Sequence, residues 1–419
     1  MAQLTDDCFA FGGPMMSVDE AVAMIAARIA PVADTQILPL AEADGRVLAE
    51  PLIARAPLPR FANSAVDGYA VRSADLPSAA EETFPVIDRV AAGASAEAPL
   101  AQRAVVRIFT GAPMPQGADT VFMQEDVRVL PDGQVVLPPG LKAGANVRLP
   151  GEDIAVGAAA LPPGRRLRPQ DIALAAALGA TELKVRRRPR VAVFSTGDEL
   201  ALPGTVPDAA QLFDSNRVML LAMLKRLGCE VSDLGILRDE PASLAPALRA
   251  AARGHDLVLT SGGVSTGEED HVKAVVEGIG SLVLWRMAIK PGRPVAMGVI
   301  EGAPFIGLPG NPAASFVTFV YVVRPAILAL SGAAQETPMP MMVRATFSYA
   351  KKTGRREYVR ANVARGADGV FEAMKFPREG AGLLSSLAET AGMIELPEQV
   401  TSVTPGEMVA FFPYTGLLA

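Results

Sequence analysis

The sequence is poor in the side chains that bind soft metals or form cross-links. Its 419 residues contain two cysteines, Cys8 and Cys229, and two histidines, His255 and His271. Two cysteines cannot build a disulfide framework, and without a Cys-x-x-Cys pair neither a structural zinc site nor a histidine-based catalytic metal is expected. If the protein handles a metal, its partners must be carboxylates, hydroxyls and cations, which suit Mg²⁺ and oxyanions.

Long apolar runs and an excess of positive charge are also missing. The longest mainly apolar stretch, 313–323, ends at Arg324-Pro325, whereas a membrane span needs about 20 residues. The net charge of −6 disfavours a nucleic-acid binder, although an acidic protein can carry a locally basic pocket. Residues 1–13 contain two aspartates and no basic residue, unlike a secretory signal. We therefore expect a cytoplasmic protein that binds neither membranes nor nucleic acids.

Changes in residue composition and hydrophobic pattern along the chain predict several domains. A capping box formed by Ser17 and Glu20 precedes an apolar stripe with helical spacing, and Asp132-Gly133 between two β-branched runs is typical of a hairpin. Aromatic residues make up only 5% of the chain, so aliphatic side chains must fill the cores. We predict an elongated mixed domain (1–45 and 149–188), an inserted β-rich domain (46–148), an α/β domain (189–335) and a C-terminal β-barrel-like or sandwich domain (336–419).

Residues 190–331 alternate between strand and helix patterns. Apolar strands are predicted at 191–194, 230–237, 257–260, 282–285 and 305–308, with helices between them. Asn311 is expected to cap the helix that begins with Pro312. This rhythm predicts a doubly wound, mostly parallel sheet with helices on both faces.

Small and polar residues collect where these strands end. Three segments stand out: Ser195-Thr196-Gly197, 261–267 and Pro309-Gly310-Asn311. Glycines let backbone N–H groups approach a phosphate, and ligands bind at the carboxyl ends of parallel strands. No Walker A loop or dinucleotide fingerprint is present. The alternative is that these are simply tight turns, but three at one edge favour a phosphate-bearing ligand.

Cations and carboxylates accompany the loops. The stiff segment Lys290-Pro291-Gly292-Arg293-Pro294, preceded by Arg286, could face an oxyanion, although a solvated basic turn is the commoner case. Carboxylates at Asp198, Glu199, Asp239 and Asp270 could hold Mg²⁺ against phosphate oxygens. Each alone is more often a helix cap or turn residue.

Taken together, these segments resemble the molybdopterin molybdenumtransferase family, of the MoeA and gephyrin E-domain type. The match covers nearly the whole chain, and the order of its motifs is highly specific. The motifs are 64–70, Thr110-Gly111-Ala112-Pro113 through Asp119, Gly151-Glu152-Asp153, 195–200, Asp214-Ser215-Asn216-Arg217, 261–267 with Asp270, 290–294 and 308–312. Arg286 and Arg293 stand where relatives have lysine, and Ala381 stands where they have serine.

The resemblance implies a homodimer of four-domain protomers with a composite site. Its substrates would be adenylylated molybdopterin and molybdate, with Mg²⁺ as cofactor, AMP as product, and transient contacts with molybdopterin adenylyltransferase and apo-molybdoenzymes. Asp67 and Thr110 would complete a catalytic site formed by Glu199, Asp239 and Asp270 of the other chain, and these last three would hold the metal. The substrate-binding residues would be Ser195, Thr196, Gly197, Ser215, Ser261, Gly262, Gly263, Ser265, Pro309, Gly310 and Asn311. Molybdate would bind Arg286, Lys290, Arg293, Arg355, Arg360 and Ser385.

The expected mechanism is positioning and electrostatic catalysis without a covalent enzyme intermediate. Departing oxo groups need protons, for which Asp67 and Asp270 are the candidates. Two alternatives remain open from the sequence: a molybdopterin adenylyltransferase, and a non-catalytic scaffold that binds molybdopterin. The chain is much longer than an α/β domain alone, which argues against the adenylyltransferase. The lack of a long linker argues against the scaffold.

Overall fold

The computed structural model describes residues 15–263, 271–334 and 336–418. Two predicted site residues, Ser265 and Asp270, lie outside these residues.

The first part of the chain is mainly short strands. The helices and strands before residue 189 are α1 (Val18–Arg28), β1 (Thr35–Pro39), β2 (Leu52–Ile53), β3 (Asn63–Ser64), β4 (Gly68–Val71), β5 (Glu82–Phe84), β6 (Val86–Val90), β7 (Val105–Ile108), β8 (Thr120–Met123), β9 (Arg128–Val129), β10 (Val135–Leu137), β11 (Val147–Arg148), β12 (Ala159–Leu161), α2 (Pro169–Ala177) and β13 (Glu182–Arg186). Single 3-10 turns lie at Leu40–Glu42, Ser73–Asp75 and Gln124–Asp126.

Local signals in this region are confirmed. The Ser17 hydroxyl accepts from the backbone N–H of Glu20 at 3.2 Å, and the Glu20 carboxylate accepts from the N–H of Ser17 at 2.8 Å, so the capping box opens α1. The hairpin predicted around Asp132-Gly133 is the antiparallel pair β9–β10.

Strands on both sides of the β-rich stretch pair with each other in two small two-stranded sheets. β1 pairs with β13 in antiparallel register, and β2 pairs with β12. Between them, β6-β7-β4-β8 and β5-β10-β9 form two sheets. One buried apolar cluster contains residues of both sheets, and a second contains residues of the four-stranded sheet. The domain boundaries drawn from the sequence stay a prediction, but this pairing explains how the chain can leave one layer and return to it.

The middle of the chain is an α/β module. Its elements are β14 (Arg190–Thr196), β15 (Leu200–Ala201), β16 (Leu212–Phe213), α3 (Ser215–Arg226), β17 (Glu230–Leu237), α4 (Pro241–Gly254), β18 (Leu257–Ser261), α5 (His271–Ile279), β19 (Gly280–Arg286), β20 (Ile289–Lys290), β21 (Pro294–Ile300), β22 (Ala303–Leu308), α6 (Pro312–Thr318), a π-helical segment (Phe319–Val323) and α7 (Arg324–Ser331).

The main sheet of this module has the order β17-β14-β18-β22-β21-β19. The first four strands are parallel, β21 runs antiparallel to β22, and β19 runs antiparallel to β21. Side chains alternate between faces, so Val191 and Val193 pack with α3 while Ala192 and Phe194 pack with α4 and α5. The prediction of a doubly wound, mostly parallel sheet is confirmed, although β21 was not predicted.

The helical stretch Pro312–Ser331 is the core helix of this module. An 18-residue window within it has a mean hydropathy of 1.8, so by length and composition it could cross a membrane, but 94% of that window is buried inside the protein. The stretch is therefore longer than the apolar run seen in the sequence, and the fold itself covers it. The predicted cap at Asn311 is wrong in one respect, because its side chain makes no capping hydrogen bond.

The C-terminal strands close into a barrel. The elements here are β23 (Met341–Ala345), β24 (Tyr349–Ala350), β25 (Arg356–Arg365), β26 (Phe371–Lys375), α8 (Ser385–Ala388), β27 (Gly392–Leu396), β28 (Ser402–Val403), β29 (Met408–Pro413) and α9 (Tyr414–Leu417). β25, β26, β23, β29 and β27 pair in that order, and β27 pairs back with β25. The barrel alternative is thus the correct one.

The barrel and the α/β module share a strand pair. β20 runs parallel to β25, with Ile289 opposite Arg356 and Lys290 opposite Glu357. Arg356 also reaches Asp19 of α1 at 2.8 Å and Glu398 at 3.1 Å. The segment that carries Lys290 is therefore fixed to the barrel wall.

We expect Gly392→Ala to destabilise the protein, since the new Cβ would lie 2.3 Å from the Phe412 carbonyl oxygen at the barrel seam. A clash of this kind costs about 1–3 kcal/mol or more. Urea unfolding of Gly392→Ala and Gly278→Ala measures the effect. Gly278 lies in α5 with no atom within 4 Å of an added Cβ, so its variant should be neutral or more stable by about 0.5–1 kcal/mol. Equal unfolding midpoints for the two variants would contradict this.

Candidate oxyanion-binding site

The loops at the carboxyl ends of the parallel strands are tied together by one side chain. The Asn216 amide donates to the Ser261 hydroxyl at 2.8 Å and to the Gly310 carbonyl at 2.7 Å. Ser261 in turn donates to the Pro309 carbonyl at 3.2 Å. Asn216 was absent from the predicted site residues, although its motif was recognised; its place at the start of α3 was the available signal.

Close approach explains the glycine at position 263. The φ of Gly263 is +66°, and an added Cβ would lie 2.7 Å from both Thr196 Cγ2 and Val272 Cγ2. Only glycine satisfies both the left-handed backbone and the lack of space. The loop therefore presents backbone toward the strand ends instead of a side chain.

Polar hydroxyls line the ends of these strands. Ser195 is 1% exposed and Thr196 is 3% exposed, and within the described residues neither hydroxyl has a hydrogen-bond partner. Thr196 faces a cavity of about 470 Å³ that is also lined by Glu199, Ser215 and Ser261. Ser195 lines neither this cavity nor the one described next, and Gly197 precedes Glu199 in the same turn.

A second cavity, of about 530 Å³, lies between the α/β module and the barrel. Glu199, Gly262, Gly310 and Asn311 line both cavities, so the two are contiguous. From the α/β module the lining also includes Gly263, 290–294, Pro309 and Ala314. From the barrel it includes Tyr349, 357–360, Lys375, Phe376, 378–379, Gly380 and Ala381.

Five cations face this cavity, together with the carboxylates of Glu199, Glu357 and Glu379. The cations are Lys290, Arg293, Arg360, Lys375 and Arg378. Lys290 pairs with Glu357 and Lys375 pairs with Glu379. The structure gives the three arginines no carboxylate partner within the described residues, which leaves them able to bind an anion.

Arg360 is the most enclosed of these arginines, at 8% exposed. Its Nε donates to the Ser386 hydroxyl at 3.1 Å, and a terminal nitrogen donates to the Gly380 carbonyl at 2.8 Å. Burial lowers the pKa of Arg360 from its ordinary value. Neutral acceptors hold the guanidinium in place without neutralising it, so its charge stays directed at the cavity.

Glu357 organises the shared wall. It is 1% exposed and accepts from Lys290 Nζ at 3.1 Å, the Tyr349 hydroxyl at 2.8 Å and Arg355 Nε at 2.7 Å. Burial alone would raise the pKa of Glu357, but these hydrogen bonds outweigh it and hold the pKa below its usual value. Burial alone would lower the pKa of Lys290, but its hydrogen bonds with Tyr349 and Glu357 raise the pKa above its usual value.

Some predicted oxyanion ligands lie elsewhere. Arg286 is exposed and lines neither cavity, the Nε of Arg355 is committed to Glu357, and Ser385 accepts from Arg378 at 3.4 Å outside the lining. Conversely, Lys375 and Arg378 face the cavity but were not predicted. Lys375 is the last residue of the barrel strand β26 and Arg378 follows it, and the pairing of this strand has no local sequence signal.

A carboxylate cluster borders the strand ends. Burial and the nearby Asp198 and Glu199 raise the pKa of Asp239, with His271 opposing the shift. One carboxylate oxygen of Asp239 is buried without a partner among the described residues. No group of three or more metal-binding side chains is found in the described ranges, which leave out Asp270. An unpaired carboxylate oxygen is of the kind that binds a divalent cation, but within the described ranges the neighbouring carboxylates do not complete a metal site with it.

The inserted β-rich part carries a separate acidic site. Asp67 accepts from both the backbone N–H and the hydroxyl of Thr110, each at 2.8 Å. These bonds lower the pKa of Asp67 below its ordinary value. Both residues lie outside the two cavities of their own chain.

The fold and site define a class: multidomain proteins whose doubly wound α/β module and β-barrel share a cation-lined cavity at the strand ends. Comparison with known proteins narrows this class. The sequence matches the MoeA N-terminal region (domain I and II) over residues 16–179, a probable molybdopterin binding domain over 192–329, and the MoeA C-terminal region (domain IV) over 342–414.

Relatives cover the chain almost completely. It is 38% identical over 405 residues to the molybdopterin molybdenumtransferase of Haemophilus influenzae, covering 96% of this chain and 100% of the relative. The Nostoc sp. molybdopterin molybdenumtransferase is 36% identical, covering 90% and 88%. The crystal structure of the molybdopterin biosynthesis moeA protein from Pyrococcus horikoshii OT3 superimposes with a TM-score of 0.80 at 28% identity, covering 96% and 100%. The chain belongs to the molybdopterin molybdenumtransferase family, transferases of molybdenum cofactor biosynthesis, which confirms the resemblance.

The Glu357 network predicts a defined pH window for stability. Because the pKa of Glu357 is lowered on folding, its stabilisation is complete above its unfolded value, near 4.5, and is lost as pH falls through the folded pKa. The raised pKa of Lys290 sets the opposite limit, since its contribution is complete below about 10.5 and is lost above it. The difference in free energy of unfolding between wild type and Glu357→Gln should therefore be largest between these limits.

Urea unfolding from pH 3 to pH 11 measures this difference. The matched control is Glu182→Gln, a change at an exposed strand residue, for which the difference should stay small throughout. A pH-independent difference for Glu357→Gln would show that charge pairing is not its cause.

Proposed function

We propose that the chain inserts molybdenum into molybdopterin. It would bind adenylylated molybdopterin and molybdate, join molybdenum to the dithiolene and release AMP. The observation that supports this most is the cavity of about 530 Å³ where cations from the α/β module and from the barrel face the glycine loops of the strand ends. Oxyanions and phosphates bind to such arrangements.

The two contiguous cavities suggest a division of the substrates. The cavity along Thr196, Ser215 and Ser261 would hold the phosphate and nucleotide portion through hydroxyls and backbone N–H groups. The cation-lined cavity would hold molybdate through Lys290, Arg293 and Arg360, with Lys375 and Arg378 as further ligands. Holding both reactants in one cleft reduces the entropic cost of their encounter.

The carboxylates beside the strand ends would hold Mg²⁺. Glu199, Asp239 and, by sequence, Asp270 are the proposed ligands, and the cation would polarise the phosphate anhydride. Asp239 fits this role because its buried oxygen lacks a partner and its charge is disfavoured without a cation.

Asp67 and Thr110 would complete the site from the second chain of a homodimer. The Thr110 hydrogen bonds favour the ionised form of Asp67, so within its own chain Asp67 is suited to orient a ligand as a carboxylate. To act as a proton donor, Asp67 would need a different environment once the two chains associate.

In vitro reconstitution tests the proposed activity. Purified protein, adenylylated molybdopterin, Mg²⁺ and molybdate should activate an apo-molybdoenzyme and release AMP in proportion. AMP release without molybdenum incorporation, or ATP-dependent pyrophosphate release, would contradict the proposal.

Arg293→Ala should weaken molybdate binding without unfolding the protein. The side chain is exposed, lines the cavity and has no carboxylate partner in the described part of the chain. Loss of one charge-assisted hydrogen bond corresponds to roughly 10-fold in affinity. Calorimetric titration with sodium molybdate measures it, with Arg28→Ala, at an exposed arginine of α1, as the control. Unchanged affinity in Arg293→Ala would remove this residue from the molybdate site.

Trans-complementation tests the composite site. Asp67→Ala and Asp239→Asn should each abolish molybdenum insertion, because each removes one half of every site. Mixed subunits should regain up to about half of the wild-type activity per mixed dimer, since one of its two sites is intact. Sedimentation of each variant checks that it assembles. No recovery in dimers shown to contain both variants would mean that the two aspartates act in the same chain.

A further inference from the structure

Tyr349 occupies a central place in the cation-lined cavity that neither the motifs nor the predicted site residues include. Its hydroxyl lies 3.1 Å from Lys290 Nζ and donates to Glu357 at 2.8 Å. Its ring lies 5.6 Å from Lys290 Nζ and 5.5 Å from Lys375 Nζ. It lines the cavity from β24, which pairs with β28, and it packs against the apolar core of the barrel. One side chain therefore touches two of the five cavity cations.

The hydrogen bond with Tyr349 limits the number of donors that Lys290 can offer to a ligand. An ammonium group has three N–H donors and no acceptor. Lys290 directs one donor to Tyr349 and one to Glu357, which leaves one. Because both partners sit on the barrel wall, the third donor is held in a fixed direction.

The ring of Tyr349 also contacts Lys375. Its ammonium group pairs with Glu379 at 2.9 Å and lies over the Tyr349 ring. An aromatic face attracts a cation without using any of its N–H donors. Tyr349 can therefore hold this lysine near the cavity while leaving its remaining donors available.

We propose that Tyr349 is a positioning residue that sets the direction of Lys290 and Lys375 for oxyanion binding, the hydroxyl acting on Lys290 and the ring on both. This proposal rests on the proposed function, in which the cavity binds molybdate. Tyr349 acts through the lysines, so its removal should weaken molybdate capture more than it slows turnover.

Tyr349→Phe separates the two contacts. It removes the hydroxyl and keeps the ring, so the apparent affinity for molybdate should fall by roughly 10-fold, about 1.4 kcal/mol. The KM for molybdate should rise by a similar factor with little change in kcat. Tyr349→Leu removes the ring as well and should lower the affinity further.

A pH series provides a readout that a purely structural role would not move. The charged groups that share the cavity lining with Lys290 are Glu199, Arg293, Glu357, Arg360, Lys375, Arg378 and Glu379, and Arg355 pairs with Glu357 beside them. Burial lowers the pKa of Lys290, whereas its hydrogen bonds to Tyr349 and Glu357 raise it. In Tyr349→Phe the pKa of Lys290 should be lower, so the alkaline loss of molybdate affinity should begin at a lower pH than in wild type.

The experiment is calorimetric titration of the full chain with sodium molybdate at a series of pH values from neutral to alkaline, without molybdopterin. Tyr414→Phe is the matched control, because it removes a tyrosine hydroxyl bonded to Thr390 at 2.9 Å outside the cavity lining; it should bind like wild type. Wild-type affinity and an unshifted alkaline limb in Tyr349→Phe would overturn this inference alone. Failure of the wild-type protein to bind molybdate would overturn the proposed function and this inference with it.

Discussion

The parallel pairing of β20 with β25 is the contact on which the cavity depends. It places Lys290, which belongs to the α/β module, opposite Glu357 of the barrel. The same pairing places the glycine loops of the strand ends and the arginines of the barrel around one cavity. Two modules with unrelated topologies thus form one wall, and a ligand in the cavity would contact both.

The chemistry of that wall follows from the burial of one carboxylate. A buried charge is tolerated only when it is paired and hydrogen-bonded. Three donors satisfy Glu357, and two of them are cations. Because Glu357 pairs with Lys290 and Arg355, and Glu379 pairs with Lys375, the cavity charges without an ion-pair partner in the described part of the chain are Arg293, Arg360 and Arg378 against the carboxylate of Glu199. A chain with a net charge of −6 can in this way attract an anion at one place.

The sequence was sufficient where the signal is local. The capping box at Ser17, the strand–helix rhythm and the glycine loops were all readable, because each depends on neighbours along the chain. The seam that joins Lys290 to Glu357 joins residues 67 positions apart, and no local pattern encodes it. For the same reason Lys375 and Arg378 were missed, while Arg286 and Arg355 were expected in a cavity that they do not line. The strand β21 was missed because its opening proline and its central glycine hid a buried extended segment.

The apolar interior that continues from the α/β module into the barrel bears on how the chain can unfold and evolve. Tyr321 of the long helix stacks on Tyr358 of β25 with ring centroids 4.3 Å apart, and Met393 and Phe412 belong to the same buried cluster as Leu308 and Val317. Elements that share a core tend to open as one cooperative unit. The barrel is consequently a poor candidate for exchange by recombination. A gene that lost it would encode an α/β module with an uncovered aromatic face.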